Sequence, residues 1–76
     1  MNWKQHIVSD PKVLYGKPVI KNTRIPVDLL LEKLAAGDTI DDLLNAYPNI
    51  TREDINASLL FAAEAVKNEK INLKAS

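Results

Sequence analysis

Seventy-six residues with ten basic and ten acidic side chains, 46% hydrophobic content and no cysteine describe one small domain with no room for a large enzyme cleft. A chain this short buries only about 60% of the surface its unfolded form exposes, and without thiols neither a disulfide nor a cysteine-bound zinc ion staples it. No apolar run approaches the roughly 20 residues that span a bilayer and no charged-then-apolar leader stands in front, so the expectation is a cytoplasmic protein with no membrane partner.

Charge is unevenly spread. Residues 1–24 carry five cations against one anion, residues 25–66 two against eight, and residues 67–76 three against one. Two differently charged faces account for that pattern, and so does scatter in a short chain.

Residues 1–26 lack helical periodicity and contain Pro11, Pro18, Pro26 and Gly16. The pairs Ile7-Val8 and Val19-Ile20, followed by Ile25, predict an irregular arm with short strands, which need pairing to be stable. Asp10-Pro11 starts a turn. Lys21-Asn22-Thr23-Arg24 reads as a tight connection, because asparagine tolerates positive φ better than other non-glycine residues. Tyr15-Gly16-Lys17-Pro18 also reads as a turn, since it lacks the earlier glycine and the Ser or Thr of a phosphate-binding loop.

From Val27 the period becomes helical. Val27, Leu30, Leu31 and Leu34 fall at i, i+3, i+4 and i+7, Pro26 suits the first turn and Gly37 suits a left-handed stop, which predicts a helix over 27–36. Thr39 is an N-cap, Asp41 and Asp42 favour the positive end of the helix dipole, and Ile40, Leu43, Leu44 and Tyr47 form the stripe of a second helix over 40–47, stopped by Pro48. Thr51-Arg52-Glu53-Asp54 is a capping-box variant with Asp in the last position, and Ile50 and Ile55 stand where a hydrophobic staple needs them. The third helix therefore starts here and runs to about residue 67, with Ile55, Leu59, Ala62 and Val66, joined by Ala63, as its core stripe.

Leu60 and Phe61 lie to either side of that stripe and Ala57 behind it, so the third helix is apolar nearly all round. Such a helix is covered on two sides, by the arm, a second subunit or a partner. Ala57, Leu60 and Phe61 are accordingly expected at a partner interface, with Trp3 and Tyr15 as aromatic arm anchors and Ile71 and Leu73 as the apolar positions of the tail. The predicted organisation is a single domain over 1–67, with a β arm at 1–26 and three helices at 27–67, and a flexible tail at 68–76. The fold class is mainly α: a three-helix, homeodomain-like helix-turn-helix domain with a short N-terminal β arm, expected to form a homodimer.

A short helix, a brief connection and a longer helix form the helix-turn-helix outline, which also matches helical hairpins in plain bundles. If DNA is bound, Thr51, Arg52 and Asn56 are placed to read bases, and Lys21 and Arg24 of the arm, with Lys12 and Lys17, supply charge. Against this, residues 51–66 carry one cation and three anions. Catalysis is not expected: His6 is the only histidine and there is no cysteine, so neither a nucleophile-base triad nor a multi-histidine metal site can be assembled in one chain. No catalytic residue, metal or cofactor is expected, and His6 reads as an ordinary arm residue.

The order Ile7-Val8-Ser9-Asp10-Pro11, Gly16-Lys17-Pro18-Val19-Ile20, Thr23-Arg24-Ile25-Pro26-Val27, Leu34-Ala35-Ala36-Gly37, Ile40 to Pro48 and Thr51 through Ala63 resembles the family catalogued as domain of unknown function 433. The likeness spans residues 7–66. Asn22 departs from it, standing where the family usually has glycine, and Leu14-Tyr15-Gly16 replaces a commoner glycine-rich turn. The resemblance implies a small VapB-like antitoxin of a prokaryotic type II toxin–antitoxin pair, inhibiting a PIN-like ribonuclease toxin by direct binding, with operator DNA as a further partner. It points to Thr23, Arg24, Ile25 and Pro26 as the most characteristic positions. Two alternatives remain: a stand-alone helix-turn-helix DNA-binding regulator, and a structural dimerisation module.

Overall fold

The computed structural model describes residues 1–68. Strands β1 (Ile7–Val8) and β2 (Val19–Ile20) precede helices α1 (Val27–Ala35), α2 (Ile40–Ala46) and α3 (Arg52–Asn68), with single 3₁₀ turns at Trp3–Gln5 and Leu14–Gly16. This is the mainly helical, three-helix fold with a short β arm that the periodicity predicts.

The arm holds together because its strands pair. Ile7 faces Ile20 and Val8 faces Val19 in an antiparallel register, the Lys21 N–H donates to the His6 carbonyl at 2.8 Å, and the Val27 N–H donates to the Pro18 carbonyl at 3.0 Å. The Lys21–Arg24 connection is the tight turn expected, with Asn22 at φ 65°. Thr23 fastens it: its hydroxyl donates to the Ile20 carbonyl at 2.7 Å and accepts the Ile25 N–H at 3.0 Å.

Each helix boundary has a local cause. Gly37, at φ 106°, closes α1 in a Schellman arrangement, where its N–H donates to the Leu34 carbonyl at 3.1 Å and that of Asp38 to Lys33 at 3.0 Å. Thr39 and Asp42 form a full capping box on α2, with reciprocal bonds of 2.8 and 3.0 Å, one bond more than the N-cap read from sequence. Thr51 and Asp54 do the same for α3, at 2.9 and 3.2 Å. Ile50 and Ile55, the predicted staple, are both buried.

The core is one cluster of Ile7, Ile20, Val27, Leu30, Leu43, Ile50, Ile55 and Ala57, with Trp3, Leu31, Leu34, Ile40 and Phe61 packed at its margin. Here α3 differs from its predicted phase. Leu59 and Val66, expected in the core, are 43% and 61% exposed, whereas Ala57, expected at a partner surface, is fully buried beside Ser58. The buried arc runs from Ile55 through Ser58 and Asp54 to Phe61 and Ala57. Its middle is polar, which is why apolar spacing does not locate it. His6 Nδ1 hydrogen-bonds Asp54 Oδ1 at 2.9 Å, and the Ser58 hydroxyl donates to the Asp54 carbonyl at 3.0 Å. Among the described residues no buried side-chain polar atom is left without a partner, so burying this polar strip avoids the cost of orphaned groups.

Candidate functional site

The α2–α3 unit presents Thr51, Arg52, Glu53 and Asn56 as exposed residues at the N-terminal end of α3. Arg52, expected to read bases, donates from Nη2 to Asp41 Oδ1 at 2.6 Å across the helix pair. A second carboxylate, Asp42, stands in the same first turn of α2; the Thr39 backbone N–H holds its carboxyl below the ordinary aspartate range. Arg52 is thus already paired with a carboxylate, an unfavourable setting for a phosphate backbone.

The basic residues lie on the arm. Lys21 and Arg24 are exposed, and among the described residues neither has a carboxylate within salt-bridge distance. Their turn lies beside the α3 N-terminus, because Lys21 bonds the His6 carbonyl and His6 bonds Asp54. That link is on the Asp54 side of α3, whereas Arg52 and Asn56, two positions either side of Asp54, stand about 160° round the helix from it, so it does not bring the arm's cations onto their face. Lys17 is engaged elsewhere, 2.9 Å from Asp28; that bond holds the ammonium above its ordinary value and the Asp28 carboxyl below its own.

Along its length α3 has two contrasting apolar sides. On one, the arm covers the helix: Trp3 meets Phe61 edge-on, with ring centroids 4.9 Å apart and planes at 84°, and its indole N–H donates to the Glu64 carboxylate. Trp3 and Phe61, expected to meet a partner, thus contribute to the chain's own packing, Ala57 lies fully within it, and Leu60 is half-buried. On the other, Leu59, Ala63 and Val66 are exposed and Ala62 is half-buried. At 100° per residue these four share a strip about 100° wide. Ile71 and Leu73, the remaining expected contacts, lie outside the described residues.

The turn read at Tyr15-Gly16-Lys17-Pro18 begins one residue earlier, at Leu14. Leu14, Tyr15 and Gly16 have φ of 50°, 57° and 82°, a left-handed run that costs a bulky residue about 1–2 kcal/mol at each position. Tyr15 is fully exposed and Leu14 is 43% exposed. The departure of Leu14-Tyr15-Gly16 from a glycine-rich turn is the signal that marks this place. The described residues contain no group of three or more His, Cys, Asp or Glu able to hold a metal ion, and His6 is engaged with Asp54. No described helix is long and apolar enough to cross a membrane.

Comparison with known proteins finds the family described as "Protein of unknown function (DUF433)", which matches residues 7–62. A crystal structure of a member of that family from Anabaena variabilis superposes with a TM-score of 0.76 at 34% identity, covering 80% of this chain and 60% of the other. An uncharacterised protein of Sinorhizobium fredii, y4eO, is 32% identical over 59 residues, which are 78% of this chain and 27% of that protein. An uncharacterised protein of Archaeoglobus fulgidus is 67% identical over 24 residues, which are 32% of this chain and 67% of that protein. The chain thus spans about a quarter of its Sinorhizobium relative.

Proposed function

The chain belongs to the DUF433 family, and from that premise we propose that it is the antitoxin of a prokaryotic type II toxin–antitoxin pair, binding and inhibiting a PIN-like ribonuclease. The observation that carries this reading is the apolar strip on α3 formed by the exposed Leu59, Ala63 and Val66 with the half-buried Ala62. Inhibition is stoichiometric: the strip seats the helix on the nuclease, and a basic residue such as Arg24 or Lys67, both exposed, meets the carboxylates of its metal-dependent groove.

A second reading, operator binding by a homodimer, is favoured by the helix-turn-helix outline and by the exposed arm cations Lys21 and Arg24, neither of which has a carboxylate within salt-bridge distance among the described residues. The pairing of Arg52 with Asp41 makes it the lesser one. In it the arm supplies the phosphate contacts, and two copies double their number. Co-production in cells of this chain with the protein encoded beside it tests the main reading. Relief of growth arrest and copurification support it; persistent toxicity with no complex refutes it.

A further inference from the structure

Nothing in the fold requires Tyr15 to stand where it does. The segment around it is firmly fastened: the Asp10 carboxylate accepts the Lys12 N–H at 2.9 Å, the Val13 N–H donates to the Asp10 carbonyl at 2.8 Å and that of Gly16 to Val13 at 3.1 Å, and the Ser9 hydroxyl donates to the Gly16 carbonyl. That framework holds Leu14 and Tyr15 in the left-handed region, which bulky L-residues avoid. It recovers nothing from the aromatic ring, which is fully exposed. A strained, rigid loop that displays a large amphipathic side chain is the form a binding anchor takes, since the ordering cost of association has been met before the partner arrives.

We infer that Leu14 and Tyr15 form a docking knob for a partner protein, the tyrosine ring entering an apolar pocket on that protein and Lys12 meeting a carboxylate at its rim. The occupant is a protein rather than a nucleic acid for reasons of local charge. Of the cations flanking the ring, Lys17 is paired with Asp28, and Asp10 sits at the base of the loop, so phosphates find little to hold them. The exposed leucine beside the ring suits a pocket and adds nothing to base stacking. Lys12 is exposed and, among the described residues, has no carboxylate within salt-bridge distance, which leaves it available to an acidic rim.

This inference rests on the antitoxin reading for its partner, so the probe is the purified nuclease encoded beside this chain. It is titrated with the full chain and its Tyr15→Gly, Tyr15→Asn and Tyr15→Phe variants. Glycine and asparagine keep the left-handed backbone accessible while removing the ring. Tyr15→Gly is expected to raise the unfolding midpoint by about 4 °C, yet both it and Tyr15→Asn weaken nuclease binding roughly 30-fold, the loss of a buried aromatic anchor, while Tyr15→Phe binds nearly as the parent does. If the parent binds and the glycine and asparagine variants bind equally well, the knob is refuted and the antitoxin reading stands. If the parent does not bind, the antitoxin reading fails, and the knob's assignment to this nuclease fails with it. An unchanged or lowered midpoint for Tyr15→Gly overturns the strained display. Self-association of the parent that Tyr15→Gly abolishes assigns the knob to a second copy instead, and capture of a single-stranded oligonucleotide that Tyr15→Gly abolishes assigns it to base stacking; either overturns the inference.

Discussion

Asp54 ties the arm to the helices, and the bond between it and His6 can be measured. Its carboxylate accepts the Thr51 N–H at 2.9 Å through one oxygen and bonds His6 Nδ1 at 2.9 Å through the other. Asp54→Ala removes the side-chain half of a capping box, about 1 kcal/mol, and a hydrogen bond involving a charged group, about 1.5 kcal/mol. The two side chains are 14% and 26% exposed, so solvent screens the pair only modestly. The sum, roughly 2–3 kcal/mol, corresponds to a fall of about 10–20 °C in unfolding midpoint for a domain of this size. His6→Ala loses the shared bond but leaves the cap, and should cost about 1–2 kcal/mol. Urea unfolding of the parent, both single variants and the double variant closes a cycle, for which a coupling energy of about 1 kcal/mol is expected. Additivity within about 0.3 kcal/mol refutes the reasoning, because it means the arm is not fastened to α3 through this pair.

Other consequences follow from the same packing. Phe61→Ala should destabilise by about 2 kcal/mol, below the range for a fully buried phenylalanine because Phe61 is only partly covered, whereas Leu59→Ala should change stability by less than about 0.5 kcal/mol; equal losses in chemical unfolding contradict the phase of α3. Asn22→Gly removes a left-handed side chain from the Lys21–Arg24 turn and should stabilise by up to about 1 kcal/mol in a thermal melt; destabilisation means the asparagine side chain supports the turn. The Asp42 carboxyl is held down by the Thr39 N–H, so folding favours its ionised form. Its stabilisation is complete above the ordinary aspartate value of 3.8 and is lost as pH falls through the lower folded value. Asp42→Asn should accordingly flatten the acid limb of a stability–pH profile, and an unchanged limb contradicts the assignment.

Much of the fold was legible because its causes are local. Ile7-Val8 and Val19-Ile20 stand out as short β-branched runs set among prolines, Gly37 marks the end of α1, and Thr51 with Asp54 marks the start of α3. The phase of α3 was not legible, because it depends on partners far along the chain. His6 and Asp54 are 48 positions apart, and together they make a polar stripe buriable where apolar spacing alone points to Leu59 and Val66. Trp3 has the same effect at Phe61, converting an expected partner contact into an internal one. The candidate site was legible in part: Thr51, Arg52, Asn56, Lys21 and Arg24 are exposed, as polar and charged side chains lead one to expect, yet the pairing of Arg52 with Asp41 follows from how α2 crosses α3, which residue types do not specify. The turn at Tyr15 and its aromatic side chain were legible, but not the left-handed backbone that displays the ring, since positive φ is expected of glycine or asparagine rather than of an aromatic residue.

The chain is proposed to act by binding one protein. Titration of the purified nuclease encoded beside it, followed by calorimetry and by cleavage of an RNA substrate, tests that directly. Saturation at a fixed stoichiometry with cleavage falling in parallel, both weakened by Leu59→Glu or Val66→Glu at unchanged stability, is the predicted result. Undiminished cleavage with no heat of binding contradicts it.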